Sequence, residues 1–110
     1  MEIAVATENG VTVAEITGEI DGRSAPVFQE KVLLLITQGG RILLDLRSVP
    51  FMSSAGLRVM LLTYRESTAK SAKMVLVGMK PEIKSSMSAT GFLRFFTVCD
   101  TREAGMEALR

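Results

Sequence analysis

No histidine occurs anywhere in this chain of 110 residues, and there is a single cysteine. The first absence removes the usual general base for a serine nucleophile and the commonest nitrogen ligand of metals. A Ser-His-Asp hydrolase is therefore excluded, and only carboxylates and water are left as metal ligands. The lone thiol, Cys99, can form no internal disulfide. With Phe95, Phe96 and Val98 beside it, it is expected to be buried and to act as a small hydrophobe. The chain also lacks the G-x-x-x-x-G-K-[ST] and G-x-G-x-x-G loops that cradle nucleotide phosphates, and its SSAG segment does not fit the G-x-S-x-G nucleophile elbow. These absences argue against an enzyme, a bound metal and a cofactor.

One-sided charge is missing too. Thirteen Lys and Arg against twelve Asp and Glu leave a net charge of +1, with no run of five or more like charges. Nothing in that pattern is an electrostatic footprint for nucleic acid or for an anionic membrane. Apolar runs such as Val32 to Ile36 are far shorter than the roughly 20 residues of a membrane span, and MEIAVATENG lacks the basic start of a signal peptide. A cytoplasmic protein is expected. With 47% hydrophobic residues, the length suits one domain over residues 1–110 around a single core.

What is present is an alternation of strand and helix patterns. Glu2 to Thr7 and Val11 to Thr17 flank Glu8-Asn9-Gly10, and Asn-Gly tolerates the positive φ of a tight turn, so an antiparallel hairpin is predicted. A helix follows from near Ser24 and Pro26, with Phe28, Val32, Leu35 and Ile36 at helical spacing and Gly39 as its stop. Arg41 to Leu46 reads as a strand. Leu57, Met60, Leu61, Tyr64 and Thr68 then recur at i, i+3, i+4, i+7 and i+11, the buried face of a second helix starting near Ala55. Lys73 to Val77 is a strand, Pro81 to Ala89 a short helix ended by Gly91, and Phe95 to Val98 the last strand. Asp100 and Glu103 have the spacing of a capping box and open a final helix through Leu109. Met60, Met74, Met87 and Phe92 are assigned to the core. This order predicts an α/β fold in which an N-terminal hairpin leads into a mixed, largely parallel sheet with about four helices and right-handed crossovers.

In such sheets functional sites lie beyond the carboxyl ends of strands. Ser53 and Ser54 fall there, after the connector Arg47 to Met52 and before the second helix. A serine in this place can cap the helix, at about 1 kcal/mol. One cap needs one hydroxyl. The other would sit at a helix start, where the dipole and unpaired N–H groups could hold a phosphate if one were added. Both readings of the pair stand on the residues alone. Asp21, before Gly22, reads as a turn or cap former or as a contact to a partner. Arg58 is expected on the exposed side of the second helix, meeting a partner or merely solvated.

Gly18-Glu19-Ile20-Asp21 and the stretch LLDLRSVPFMSSAGL together resemble the STAS domain of anti-sigma factor antagonists over nearly the whole chain. The family segment has an aspartate-leucine at a strand end, an aromatic, then Asp-Ser-[Ser/Thr]-Gly-Leu. Asp45-Leu46, Val49, Phe51, Met52, Ser54, Gly56 and Leu57 match it, whereas Ser53 replaces the aspartate and Ala55 the Ser/Thr. The resemblance implies a single STAS-like domain that binds an anti-sigma factor, itself a serine kinase of GHKL-type fold, and so releases its client. Phosphorylation of Ser54, with Ser53 as the second candidate acceptor, would end that binding, and a PP2C-type phosphatase would restore it. The implied partner surface comprises Asp21, Ser53, Ser54, Ala55, Gly56 and Arg58. STAS modules also occur in anion transporters, stress-signalling complexes and lipid-transport assemblies, so the alternative is a non-switching scaffold subunit.

Overall fold

A computed structural model describes residues 1–110. The hairpin joins β1 (Glu2–Glu8) and β2 (Val11–Thr17) through Asn9 and Gly10. Both turn residues have positive φ, 50° and 77°, as a two-residue hairpin turn with the right-handed twist of its strands requires. β2 then pairs parallel with β3 (Arg41–Ser48), β3 with β4 (Lys73–Val77), and β4 with β5 (Thr97–Cys99), giving a sheet in the order β1-β2-β3-β4-β5. The parallel steps are bridged by α1 (Ala25–Leu35), α2 (Ser54–Ala69) and α3 (Pro81–Ala89), and α4 (Arg102–Ala108) follows the last strand.

Successive strand residues point to opposite faces, so each strand divides its side chains between two layers. Ala14, Ile16, Ile42, Leu44, Leu46 and Leu76 pack beneath Phe28 and Val32 of α1, Val59 and Met60 of α2, and Ile83 and Met87 of α3. On the other face Val11, Val13, Leu43, Val75 and Val77 form a smaller cluster closed by Leu109. The interior is thus two clusters separated by the sheet, not the single core expected. Gly105 lets α4 sit close on this second cluster, because a Cβ there would meet Val77 Cγ1 at 2.5 Å and Leu43 Cδ1 at 2.9 Å.

The α/β class, the hairpin and the strand-helix order agree with the sequence reading; several local assignments do not. α1 ends at Leu35, and Ile36 is buried in extended conformation, so Gly39 (φ 68°) serves the following turn instead of stopping the helix. The buried face of α2 is Gly56, Leu57, Val59, Met60, Thr63 and Ser67, with Leu61 and Tyr64 only half-buried and Thr68 exposed. Two polar residues can face inward because Thr63 donates to the Val59 carbonyl at 2.9 Å and Ser67 to that of Tyr64 at 2.7 Å, satisfying both hydroxyls within the helix. The last strand begins at Thr97, because Leu93–Phe95 forms a 3₁₀ turn that leaves Phe95 exposed. Cys99, on that edge strand, is half-buried, not enclosed. α4 is capped by Thr101, whose hydroxyl accepts from Ala104 N at 3.1 Å; Asp100 instead pairs with Lys84 at 3.1 Å. Met60 and Met87 are fully buried, and Met74 and Phe92 pack partly buried against the larger cluster, as assigned.

Phe28 is the largest aromatic wholly enclosed in the main cluster. Phe28→Ala should cost about 3–5 kcal/mol of folding stability. Urea unfolding should show the loss as a lowered midpoint with an unchanged slope.

Candidate functional site

The carboxyl ends of β2, β3 and β4 point the same way, and the segments leaving β2 and β3 are stitched together by backbone. Gly18 N donates to Ser48 O (3.0 Å), Ile20 N to Phe51 O (3.0 Å) and Ser53 N to Ile20 O (2.9 Å), with Ile20 and Met52 forming a parallel bridge. The connector Val49 to Ser53 thus extends β3 along the segment that follows β2. Ile20, Val49 and Met52 turn their side chains into the core. Phe51, beside Met52 in extended chain, is turned outward and is 51% exposed.

This stitch sets the start of α2. Gly56 passes over Ile20 so closely that a Cβ would collide with the Ile20 carbonyl and with Met52 Cγ. Ser53, extended at φ −77° and ψ 177°, is the N-cap, its hydroxyl accepting from Gly56 N at 3.3 Å. Ser54 is the first helical residue; its exposed hydroxyl takes no part in the cap. Ala55 is half-buried, and Arg58 is exposed one turn further on.

Asp21 follows Ile20 and so stands next to the serine loop. Its Oδ1 accepts from Arg23 N at 2.9 Å and Ser24 N at 3.1 Å, while Asp21 N donates to Ser24 Oγ at 2.9 Å. The carboxylate therefore closes the turn into α1, and the hydrogen bonds from the Ser24 and then the Arg23 backbone hold its pKa below the usual value. Asp21, Ser53, Ser54, Gly56 and Arg58 are all brought to this one end of the sheet. No group of three or more His, Cys, Asp or Glu side chains could hold a metal ion. What the surface offers is a ledge held by backbone hydrogen bonds that presents Phe51, Ser54 and Arg58 to solvent.

A second constellation escaped the sequence reading. On the opposite face of the sheet Asp45, 1% exposed, accepts from Arg47 Nε and Nη2 (3.1 and 2.9 Å) and from Arg102 Nη2 (3.0 Å). Arg102 Nη2 also meets Glu15 at 2.9 Å, and its Nη1 lies 3.8 Å from Glu8. Arg102 thus ties α4 to three strands. Burial pushes the Asp45 carboxyl up, but the hydrogen bonds from Arg47 and Arg102 outweigh it and leave the pKa lowered. Lys80 Nζ, in the loop after β4, donates to the Arg47 carbonyl at 2.9 Å and links this cluster to the neighbouring connector. An aspartate alone in an apolar strand with arginine two residues on, on the same face, was the available signal. Nothing local points to Arg102.

A model of the STAS domain family matches residues 2–105. The anti-sigma-B factor antagonist of Bacillus subtilis is 30% identical over 100 residues, covering 91% of this chain and 91% of its own. An anti-sigma factor antagonist from Mycobacterium paratuberculosis superposes with a TM-score of 0.87 at 24% identity over 99% of this chain and 93% of the other. The Bacillus cell fate determinant SpoIIAA, solved in its phosphorylated form, superposes with a TM-score of 0.72 at 20% identity over 99% of this chain and the whole of the other.

Two outcomes follow from the geometry. Gly56→Ala should cost about 1–3 kcal/mol, because the added methyl forces the helix start off the Ile20 carbonyl; chemical denaturation measures it. Asp45→Asn should cost about 1.5–3 kcal/mol at pH 7, the scale of hydrogen bonds to a charged group. The folded pKa of Asp45 lies below its unfolded value of 3.8, so its contribution is fully present above that pH and is lost as the pH falls through the folded pKa. Unfolding free energies measured down the acid limb should accordingly fall less steeply in Asp45→Asn than in the parent.

Proposed function

This chain belongs to the STAS domain family of anti-sigma factor antagonists, and on that footing we propose that it is a cytoplasmic partner switch controlled by phosphorylation of Ser54. The unmodified form binds an anti-sigma factor with a GHKL-type serine kinase fold and displaces its client. The contact surface is Asp21, Ser53, Ser54, Ala55, Gly56 and Arg58. Transfer of a phosphoryl group to Ser54 ends the binding, and a PP2C-type phosphatase restores it. The chain itself regulates by binding and catalyses nothing.

The observation that carries this reading is the division of labour between the two serines. Ser53 spends its hydroxyl on Gly56 N, as the cap, and is half-buried; Ser54 is exposed with its hydroxyl outside the cap. Of the pair, Ser54 is the one that leaves its hydroxyl free for a kinase. The phosphorylated form of SpoIIAA, which shares the fold, is in keeping with a modification on this scaffold.

The energetics are those of a charge introduced into an interface. Phosphoserine adds about −1.5 to −2 charges at neutral pH. In the free domain the phosphate is tolerated, since a helix N-terminus favours an anion by about 0.3–1 kcal/mol. In a dry interface an uncompensated charge costs about 3–5 kcal/mol. Reversing occupancy from 99:1 to 1:99 takes roughly 5.5 kcal/mol, so one such group supplies most of the switch with no change of fold. With Ser53 where the family segment has aspartate, the added phosphate would meet one negative charge fewer at its own helix start.

Three variants test the proposal. Ser54→Ala should stay bound to the kinase and escape labelling, whereas Ser54→Asp should bind more weakly by about 1 kcal/mol or more, both with melting curves close to the parent. Calorimetric titration with the kinase decides the matter: equal affinity for the parent, Ser54→Ala and Ser54→Asp puts the serine loop outside the interface and favours the scaffold role. Phosphopeptide mapping should find the label on Ser54, and label mainly on Ser53, Ser85 or Ser86 would refute the assignment. Ser53→Asp should preserve binding or raise the phosphorylation rate; lost affinity with unchanged melting would mean that the partner is matched to a neutral residue.

A further inference from the structure

The two edges of the sheet are unequal. β5 has three residues, entered from a 3₁₀ turn and left into α4. β1 has seven, all exposed except the half-buried Ile3, and pairs with β2 in unbroken register from Glu2 to Glu8. Proteins usually blunt such an edge with proline, lysine, a bulge, an inward charge or a short strand. β1, EIAVATE, has no proline, lysine or bulge, and its only charges are the glutamates at its two ends.

The turn determines which backbone groups are left over. Asn9 and Gly10 are its two central residues, so Glu8 and Val11 form a hydrogen-bonded pair across it. Alternation along an antiparallel ladder then turns Ala6, Ala4 and Glu2 toward β2 as well. The N–H and C=O groups of Ile3, Val5 and Thr7 point outward, unpaired. On the same face as Ile3, which packs on the core, Val5 is 51% exposed. Glu2 and Glu8 stand at the two ends of the other face.

Charge selects what can lie along this edge. A second copy in the fully overlapping antiparallel register would set Val5 against Val5 but Glu2 against Glu8 twice, like charges in the closely spaced position where they repel. A strand with a basic residue at each of those places meets Glu2, which makes no ion pair, and Glu8, whose ion pair with Arg102 Nη1 is long at 3.8 Å. We propose that the β1 edge docks an extended segment of a partner protein, pairing antiparallel, with an apolar β-branched residue opposite Val5 and lysine or arginine opposite Glu2 and Glu8. Backbone pairing supplies the affinity and the two end charges the selectivity. The serine loop follows β3, two strands from this edge.

The test uses two synthetic heptapeptides, one with the β1 sequence itself and one with lysine in place of both glutamates. NMR hydrogen exchange on the whole chain reads the amides of Ile3, Val5 and Thr7. Saturation with the lysine peptide should slow these three by about tenfold or more, and this peptide should bind about tenfold tighter than the acidic one, as two attractions replace two repulsions. Glu2→Lys, at an exposed residue, should erase most of that preference. Val5→Pro, which removes the outward N–H and the valine side chain opposite the partner's apolar residue, should abolish binding. Unaltered exchange with either peptide, equal affinity for the two, or protection already present in a self-associated chain seen by sedimentation would each overturn the proposal. The kinase titration of Ser54 variants is independent of these outcomes.

Discussion

The carboxyl end of the sheet depends on the short backbone bridge between Ile20 and Met52. Once Ile20 accepts from Ser53 N and donates to Phe51 O, the connector after β3 can no longer behave as a loose loop. Gly56 seals this arrangement, since only a residue without a Cβ fits against the Ile20 carbonyl. From that contact follow the cap by Ser53, the outward Ser54 and the outward Phe51. A backbone held at several points is suited to presenting a hydroxyl to another protein, because little ordering remains to be done on binding.

The opposite face of the sheet is held by different physics. α4 has only seven residues and cannot be stable by helix propensity alone. It is held by Leu109 and Gly105 on the apolar cluster, and by charged contacts at both ends. Arg102 reaches Asp45, Glu15 and Glu8 from its start, while Arg41 donates to the Leu109 carbonyl at 2.9 Å beyond its end. Asp45 is nearly inaccessible, and the Arg47 side chain beside it keeps 59% of its surface in water. The cluster is therefore a buried acceptor served by partly hydrated donors, a cheaper arrangement than a fully buried ion pair. The two faces do separate work: one side carries the helices that frame the ledge, and the other carries the polar fastening of the chain's end.

A ledge of this kind makes a charge switch simple. Under the proposed switch the domain would not need to move on modification of Ser54, because the change would act on the surface that a partner covers. The same helix start that tolerates an added phosphate in water gives it no compensation when donors and solvent are excluded. In that proposal selectivity between the two forms would come from desolvation and not from shape, in keeping with a frame fixed by the Ile20 bridge.

The sequence by itself determined the features whose causes are local. Asn9-Gly10 makes the hairpin because both positions need positive φ, and the alternation of strand and helix patterns yields the order of elements with the serine pair at a helix start. The motif from Asp45 to Leu57 identified the family for the same reason, being continuous in the chain. What depends on contacts between distant residues was decided only by the tertiary structure. Periodicity shows that α2 has a buried side, but its rotation is set by the sheet beneath, which turned Thr63 and Ser67 inward in place of Tyr64 and Thr68. The pairing of Asp45 with Arg102 spans 57 positions and has no sequence signal. Which serine caps and which faces solvent was settled by the close approach of Gly56 to Ile20, since the hydrogen-bonding chemistry of the two hydroxyls is identical and only their places on the bridged backbone differ.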